Sequence, residues 1–495
     1  MGEKISWRFR FGKRKFFHKQ KYNMETSMLI FGIIIYLIIS FVIGLWKSRG
    51  TDLADFVASK NSFGFWPIFL SLVGTIVGGG MFFAVGQIGY EAGVLGYILG
   101  FLYIIAFSLM GFLTPRIRNF FKDKNYLTLI DLVDGEYKSK KTTFAFAAVS
   151  FFIYFFVLAG QFLVLGTFLN FFAGIQLTYA ILTIAMIVAG LNIIIYSVVG
   201  GIRKDIVTDV FQMIVVFFGS LFLISLLLKP VTWTSIATLP TIYFTGLGYG
   251  TAFLIAAVLF FIPLLLVRLD FWQRVLAAKN EEVAKRAFFV AGPVTFLFYL
   301  IFTTIGMYAK SVGIPEAKIA TLGLISQSFT GISFVIIILA FLAAVMSTAD
   351  TTLNVAAVSF SRLLKREIWC GYLDRKEHEK QLFKLVKVSA LLIGLFSVII
   401  AFLIPNIVNL FVAAFTAMLI LAPATLALLF SKKPNSTAAF YSIVLGFVTF
   451  LVAFPFLPKE SFIAGTFVSI LTYLIVSKFF KRSCTKEFAA KEKTI

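Results

Sequence analysis

Thirteen apolar runs, most of about 20 residues, follow one another along the chain, and each is long enough to cross a hydrocarbon core of roughly 30 Å as an α-helix. They lie near 27–46, 64–89, 95–114, 144–170, 174–195, 206–228, 250–268, 288–309, 331–360, 384–404, 407–430, 437–456 and 461–477. A segment in hydrocarbon must satisfy its backbone polar groups internally, which leaves closed helices as the available form. The chain is expected to be an all-α integral membrane protein with about 13 transmembrane helices. Composition excludes the ordinary soluble domain: 60% of the 495 residues are hydrophobic, 14% are charged and 61 are phenylalanine. No segment between the runs is long or polar enough for a separate soluble domain.

Charge orients the spans, because Lys and Arg near span ends favour the cytoplasm. Alternate loops (47–63, 115–143, 199–205, 268–287, 361–388, 431–436 and 477–495) hold 33 Lys and Arg, and the opposite loops hold Lys229, Lys310, Lys318 and Lys459 alone. The rich set is assigned to the cytoplasm, which puts the C-terminus inside and the N-terminus outside a cell membrane. The formal charge of +22 follows largely from this asymmetry, so no nucleic-acid partner is implied. The leader MGEKISWRFRFGKRKFFHKQKYN disagrees, carrying eight Lys and Arg on the outer side. Translation from Met24, or a dispensable leader, would restore agreement. The first apolar run is too long for the core of a cleavable secretory signal and reads as a permanent span. Cys370 and Cys484 fall in cytoplasmic segments and are expected to stay reduced.

Two spans carry residues that weaken helices. SLVGTIVGGGMFFAVG contains Gly74, Gly78, Gly79 and Gly80, each costing about 1 kcal/mol relative to alanine in a helix interior. FLIAAVLFFIPLLLV contains Pro263, which removes a donor and crowds the preceding turn. Close packing explains such glycines and ordinary kinking explains such a proline equally well when each is taken alone. Together they are five spans apart, so they cross in opposite directions, as the first helices of two inverted five-helix repeats would. Paired interruptions of this kind point to a transporter's midplane site, where freed carbonyls can coordinate a cation. The organisation expected is a leader (1–26), a leading helix and loop (27–63), repeats at 64–228 and 250–430, two further helices (437–477) and a basic tail (478–495).

The ninth span carries FLAAVMSTADTTLNVAAV at 341–358. Ala344, Ser347, Thr348 and Thr351 share one helical face. A single hydroxyl there would be read as bonding back to its own helix. Asp350 is different, since a charge at mid-membrane costs about 2.5 to 3.5 kcal/mol even on the lenient insertion scale and needs a partner. Hydroxyl and carboxylate oxygens suit a hard cation.

With these residues in view, the chain resembles the sodium:solute symporter family, which includes bacterial proline, pantothenate, sialic acid and sugar symporters and the animal sodium/glucose transporters. The likeness is carried by SLVGTIVGGGMFFAVGQIGYEAG at 71–93, YSVVGGIRKDIVTDVFQ at 196–212, WQRVLAAKNEEVAKRA at 272–287 and AAVMSTADTTLN at 343–354. It implies a LeuT-like (APC) fold: one helix, two inverted five-helix repeats and two more helices. It also implies sodium as coupling ion, held by carbonyls of Gly74, Val77 and Ala344 and hydroxyls of Ser347 and Thr348. A second sodium, found in some members, would take Asp209, Asp350 and Thr351 and share Ser347. The other reading of Asp209 is an interfacial acid paired with Arg203 or Lys204. Ile76 stands where proline symporters carry an aspartate, and GGG replaces the polar residues of the sugar transporters. The backbone of Gly78, Gly79 and Gly80, with Gln87, Gln161, Tyr299 and Thr416, are candidates for lining the solute pocket because they are polar within core spans. Buried amides and phenols also serve to bond helix to helix.

The function expected is sodium-coupled import of a small organic solute, such as an amino acid, carboxylate or sugar, by alternating access. The rivals are a proton-coupled transporter, a transporter-like solute sensor and a membrane-embedded enzyme. Nothing in the chain forms a nucleotide motif, haem ligand pattern or catalytic triad, and His18 and His378 lie outside the spans, so no enzyme is expected.

Overall fold

The computed structural model describes residues 11–46, 52–122, 124, 126–172, 176–368, 375–403, 414, 416–457 and 460–479. The main helices are α1 (Phe11–Trp46), α2 (Phe65–Ile76), α3 (Met81–Ala92), α4 (Leu95–Phe121), α5 (Lys140–Phe172), α6 (Gln176–Leu227), α7 (Thr251–Val267), α8 (Leu269–Ala277), α9 (Glu281–Ser311), α10 (Gly331–Ile368), α11 (Arg375–Leu403), α12 (Met418–Phe430), α13 (Ser436–Ala453) and α14 (Ser461–Phe479). Among the described residues nine helices are long and apolar enough to cross a membrane, rising to eleven when each of two bent pairs counts as one span. The 174–195 and 206–228 spans both lie in α6, with the chain turning between them at Gly201, where φ is 55°. The 407–430 span is described from residue 414 onward only, and Cys370 and Cys484 lie outside the described residues. Phe31, Phe112, Phe218 and Val452 stand exposed, an apolar exterior suited to a hydrocarbon solvent.

The bent pairs are the breaks. Between α2 and α3 the chain turns by 53° across residues 77–80. Val77 leaves helical geometry there (φ −82°, ψ 62°), and the helix resumes at Met81 with a turn of π-helix. The glycines let other helices close on this point: a Cβ on Gly78 would sit 2.0 Å from Oγ1 of Thr348, and one on Gly79 would sit 2.8 Å from Oε1 of Gln161. Between α7 and α8 the turn is 50°.

Pro263 does not make that second break. It lies inside α7, and the chain turns at Arg268 (φ −82°, ψ 113°), which ends one helix and begins the next. The cause lies in side chains from beyond the turn. Nε1 of Trp272 donates to the carbonyl of Leu266 at 2.8 Å, satisfying an acceptor that helix continuation would have used. Asp270 folds back on the Arg268 guanidinium, with Nη2 to Oδ2 at 2.5 Å.

Around the breaks, α10 packs against α6, α5 and α2, while α9 packs against α4 and α3. At one end of the bundle a clasp joins the approach to α2 with the end of α8. The amides of Asn61, Ser62 and Phe63 donate to the carbonyls of Leu276 and Ala277, and the amide of Lys279 donates back to Phe63 at 2.7 Å. Arg118, at the end of α4, reinforces it with bonds to the carbonyls of Val275 and Ala278 and to Oδ1 of Asn61.

Candidate ion and solute sites

The polar middle of α10 is fully enclosed: Ser347, Thr348, Asp350 and Thr351 are all buried. Thr348 donates to the carbonyl of Gly74 at 3.3 Å, at the end of α2. Gly74 lets the helices approach this closely, since a Cβ there would lie 2.6 Å from Oγ of Ser347. The end of α2 at Gly74, three residues before the cap at Val77, therefore meets Ser347 and Thr348 of α10. The Gly74 carbonyl and the Thr348 hydroxyl thus come together near a helix C-terminus, where carbonyl acceptors are left without helical partners. That donor chemistry suits a hard monovalent cation.

A charged cluster lies one turn further along α10. Asp209 on α6 accepts from Ser347 through Oδ1 and from Ser71 through Oδ2, both at 2.5 Å. Its ionic partner is Arg274 of α8, whose Nη2 lies 3.5 Å from Oδ2. Arg274 also donates to Thr351 at 2.8 Å and to Ser71 at 3.1 Å. Asp350 accepts through Oδ2 from Thr208 at 3.4 Å and lies within electrostatic reach of Lys204. Asp205 takes a bond from Asn354 at 3.0 Å. Arg203, one partner the sequence offered for Asp209, instead pairs with Asp55 at 2.8 Å.

Beside the break of α2 and α3 lies a cavity of about 100 Å³. Gly78, Gly80, Gln161, Tyr299 and Thr416 line it, together with Thr348 and Arg268. Gly79 and Gln87 do not. The amide of Gly79 donates to Oε1 of Gln161 at 3.2 Å, and Gln87 donates to Glu91 one turn along its own helix at 2.5 Å.

Residues 56–446 match the sodium:solute symporter family. The chain belongs to that family. It is 27% identical over 201 residues to the sodium/glucose cotransporter of Vibrio parahaemolyticus and 25% identical over 196 residues to sodium/glucose cotransporter 1 of Ovis aries. Each stretch covers 39% of this chain but only 35% and 28% of the respective relative. The fold superposes on the substrate-bound, outward-open state of a Na+-coupled sialic acid symporter with a TM-score of 0.77 at 18% identity, covering 92% of this chain and 97% of the other. It superposes on a nucleobase-cation-symport-1 family transporter in a closed conformation with a TM-score of 0.51 at 13% identity, covering 86% and 94%. This multi-pass membrane protein thus has the inverted-repeat architecture expected of its family.

Three side chains of this family member did not stand out in the sequence reading: Ser71, Arg268 and Arg274. Ser71 carries no signal, being one hydroxyl in an apolar helix. The two arginines did carry one, because a guanidinium stays charged and is expensive inside a membrane. Both sit close to a loop rich in basic residues, which makes them look like part of that loop.

Proposed function

We propose that the chain is a sodium-driven symporter that carries a small organic solute into the cell by alternating access. The observation that carries this reading is the meeting of Gly74 with α10 at a broken helix, where Thr348 donates to the Gly74 carbonyl and the Ser347 hydroxyl lies where a side chain at Gly74 would fall. The sodium site is assigned to Gly74, Val77, Ala344, Ser347 and Thr348. An ion there bridges α2 and α10, so it favours whichever conformation keeps them together and shifts the equilibrium by its differential affinity. Solute is assigned to the adjacent cavity, with Gly78, Gly80, Gln161, Tyr299 and Thr416 on its wall.

A second sodium at Asp209, Asp350 and Thr351, sharing Ser347, is supported by charge. Among the described residues, Lys204 and Arg274 lie within electrostatic reach of three carboxylates, Asp205, Asp209 and Asp350, a set with room for one more positive charge. A sodium ion supplies it; a proton would do the same in a proton-coupled variant. The distribution of Lys and Arg supports a cytoplasmic C-terminus, an outer N-terminus and residence in the cell membrane. Binding of radiolabelled sodium to purified protein, with thermal melting in sodium against potassium, tests the proposal. Saturable sodium binding with a raised melting point is expected, and equal melting in both salts would refute it.

A further inference from the structure

A larger cavity, of about 1210 Å³, is a groove walled by α7, α12 and α14. On α14 its lining runs from Thr466 to Ser477, about 16 Å at the rise of an α-helix. That is half of a hydrocarbon core of roughly 30 Å, so the groove has the depth of one leaflet. Phe260, Leu426, Ile470 and Leu474 give it an apolar wall, and Leu259, Phe430 and Leu474 are exposed. Pro263 lies in the same wall, one turn after Leu259, and has no amide to offer the Leu259 carbonyl.

The groove ends in polar and basic groups. Ser431, Lys433, Asn435, Tyr473 and Ser477 line that end, and Lys432 and Lys478 adjoin it in sequence. Arg116 of α4 lies over the ring of Phe430, 5.3 Å from ring centre to Cζ. All four basic side chains are exposed. Among the described residues Arg116, Lys432 and Lys478 pair with no carboxylate and donate no side-chain hydrogen bond. Neither the groove lining nor the 431–436 loop contains Asp or Glu.

Charge selects the occupant. An anionic headgroup complements such a rim, whereas a zwitterionic one brings a cation of its own to it. The chain's own tail is a poor fit, since residues 480–495 hold Lys481, Arg482, Lys486, Lys491 and Lys493 against Glu487 and Glu492. A second copy is no better, because twofold packing in the membrane plane would set two basic rims at one depth. We propose that this groove binds one anionic phospholipid, with an acyl chain along α7, α12 and α14 and its phosphate among Arg116, Lys432, Lys433 and Lys478. The distribution of Lys and Arg assigns that end, and with it the lipid, to the cytoplasmic leaflet. A lipid there leans on α7, the first half of the second broken span.

The test is native mass spectrometry of the purified full chain, with dioleoyl phosphatidylglycerol, dioleoyl phosphatidylcholine and glycerol 3-phosphate as probes. One phosphatidylglycerol per protein should be held at least tenfold more tightly than phosphatidylcholine, and glycerol 3-phosphate should not displace it. Ala427→Trp puts a ring into the groove, and Lys432→Gln with Lys433→Gln removes charge from exposed positions of the rim. Each should weaken phosphatidylglycerol binding at least tenfold. Lys279→Gln with Lys285→Gln removes the same charge from another basic loop and should leave it unchanged. If Ala427→Trp fails to fold, the Lys432 and Lys433 variant decides. Equal retention of the two lipids overturns the proposal, as does wild-type phosphatidylglycerol affinity in that variant or an equal loss in the control. Displacement by glycerol 3-phosphate would make the rim a site for soluble phosphates, and a lipid-free dimer would make the groove an interface between copies; either result also overturns it.

Discussion

The hydroxyl of Ser347 donates to Oδ1 of Asp209 at 2.5 Å, tying the polar middle of α10 to α6. The same oxygen is assigned to sodium, so one side chain serves both the ion and the charged cluster. Ser347→Ala is therefore expected to raise the sodium concentration for half-maximal uptake at least tenfold, and to cost about 1.5 to 3 kcal/mol through the lost bond to a carboxylate. Thr348→Ala, whose hydroxyl faces Gly74, should match the sodium effect at less cost in stability. Sodium titrations of uptake beside thermal melts separate the two, and wild-type sodium activation in both variants would remove the ion from this pair.

Asp209 neutralises Arg274 from 3.5 Å with both side chains fully buried. Asp209→Asn should destabilise the protein by roughly 3 to 5 kcal/mol, because it leaves a guanidinium buried without its partner. Adding Arg274→Gln should recover most of that loss. Neither variant should regain sodium cooperativity, and Asp350→Asn should lower the Hill coefficient toward one. Wild-type cooperativity in Asp209→Asn, Asp350→Asn and their combination would dismiss the second sodium.

Gly78 stands where a methyl group would fall 2.0 Å from Oγ1 of Thr348. Gly78→Ala should sharply reduce the yield of folded protein. Combining it with Thr348→Ala removes the Oγ1 contact but leaves a Cβ 2.7 Å away, so folding should recover only in part, whereas Thr348→Gly should restore it more fully, in both cases without restoring sodium activation. Gly64→Ala, with nothing within 4 Å of the added carbon and an ordinary φ of −76°, is the neutral control. Size-exclusion profiles of the detergent-extracted proteins decide it, and normal folding of Gly78→Ala alone would contradict the packing described.

Arg203 and Asp55 form a half-exposed pair at 2.8 Å. Arg203→Ala should cost less than about 1 kcal/mol and leave sodium activation unchanged. A marked loss of sodium activation in uptake assays would mean that Arg203 acts on the Asp209 cluster after all.

The run of apolar segments and the four glycines of the second span made the membrane class and the first break legible, because both depend on local chemistry. The second break was not legible at Pro263, since a membrane helix can carry proline when neighbouring groups cover the freed carbonyl. The turn at Arg268 is set by Trp272, Asp270 and Tyr154, and Tyr154 comes from α5, distant in sequence. The same holds inside the cluster. An aspartate in a span announces that it needs a partner, but only the tertiary fold brings α8 against α6 and so selects Arg274 for Asp209 over the adjacent Arg203.

The clasp of Asn61 to Phe63 with Leu276, Ala277 and Lys279 limits how such a fold can move. Pulling the approach to α2 away from the end of α8 would rupture a short backbone ladder and part Arg118 either from Asn61 or from the carbonyls of Val275 and Ala278. Tilting both broken helices together, with the end of α4 that carries Arg118, leaves every one of those bonds intact. The least costly displacement is thus that of a rigid rocker, pinned at one end, whose free ends sweep past α10. The turns after Ile76 and at Arg268 lie partway along the rocker, so an ion or solute held there would change its surroundings while moving little itself.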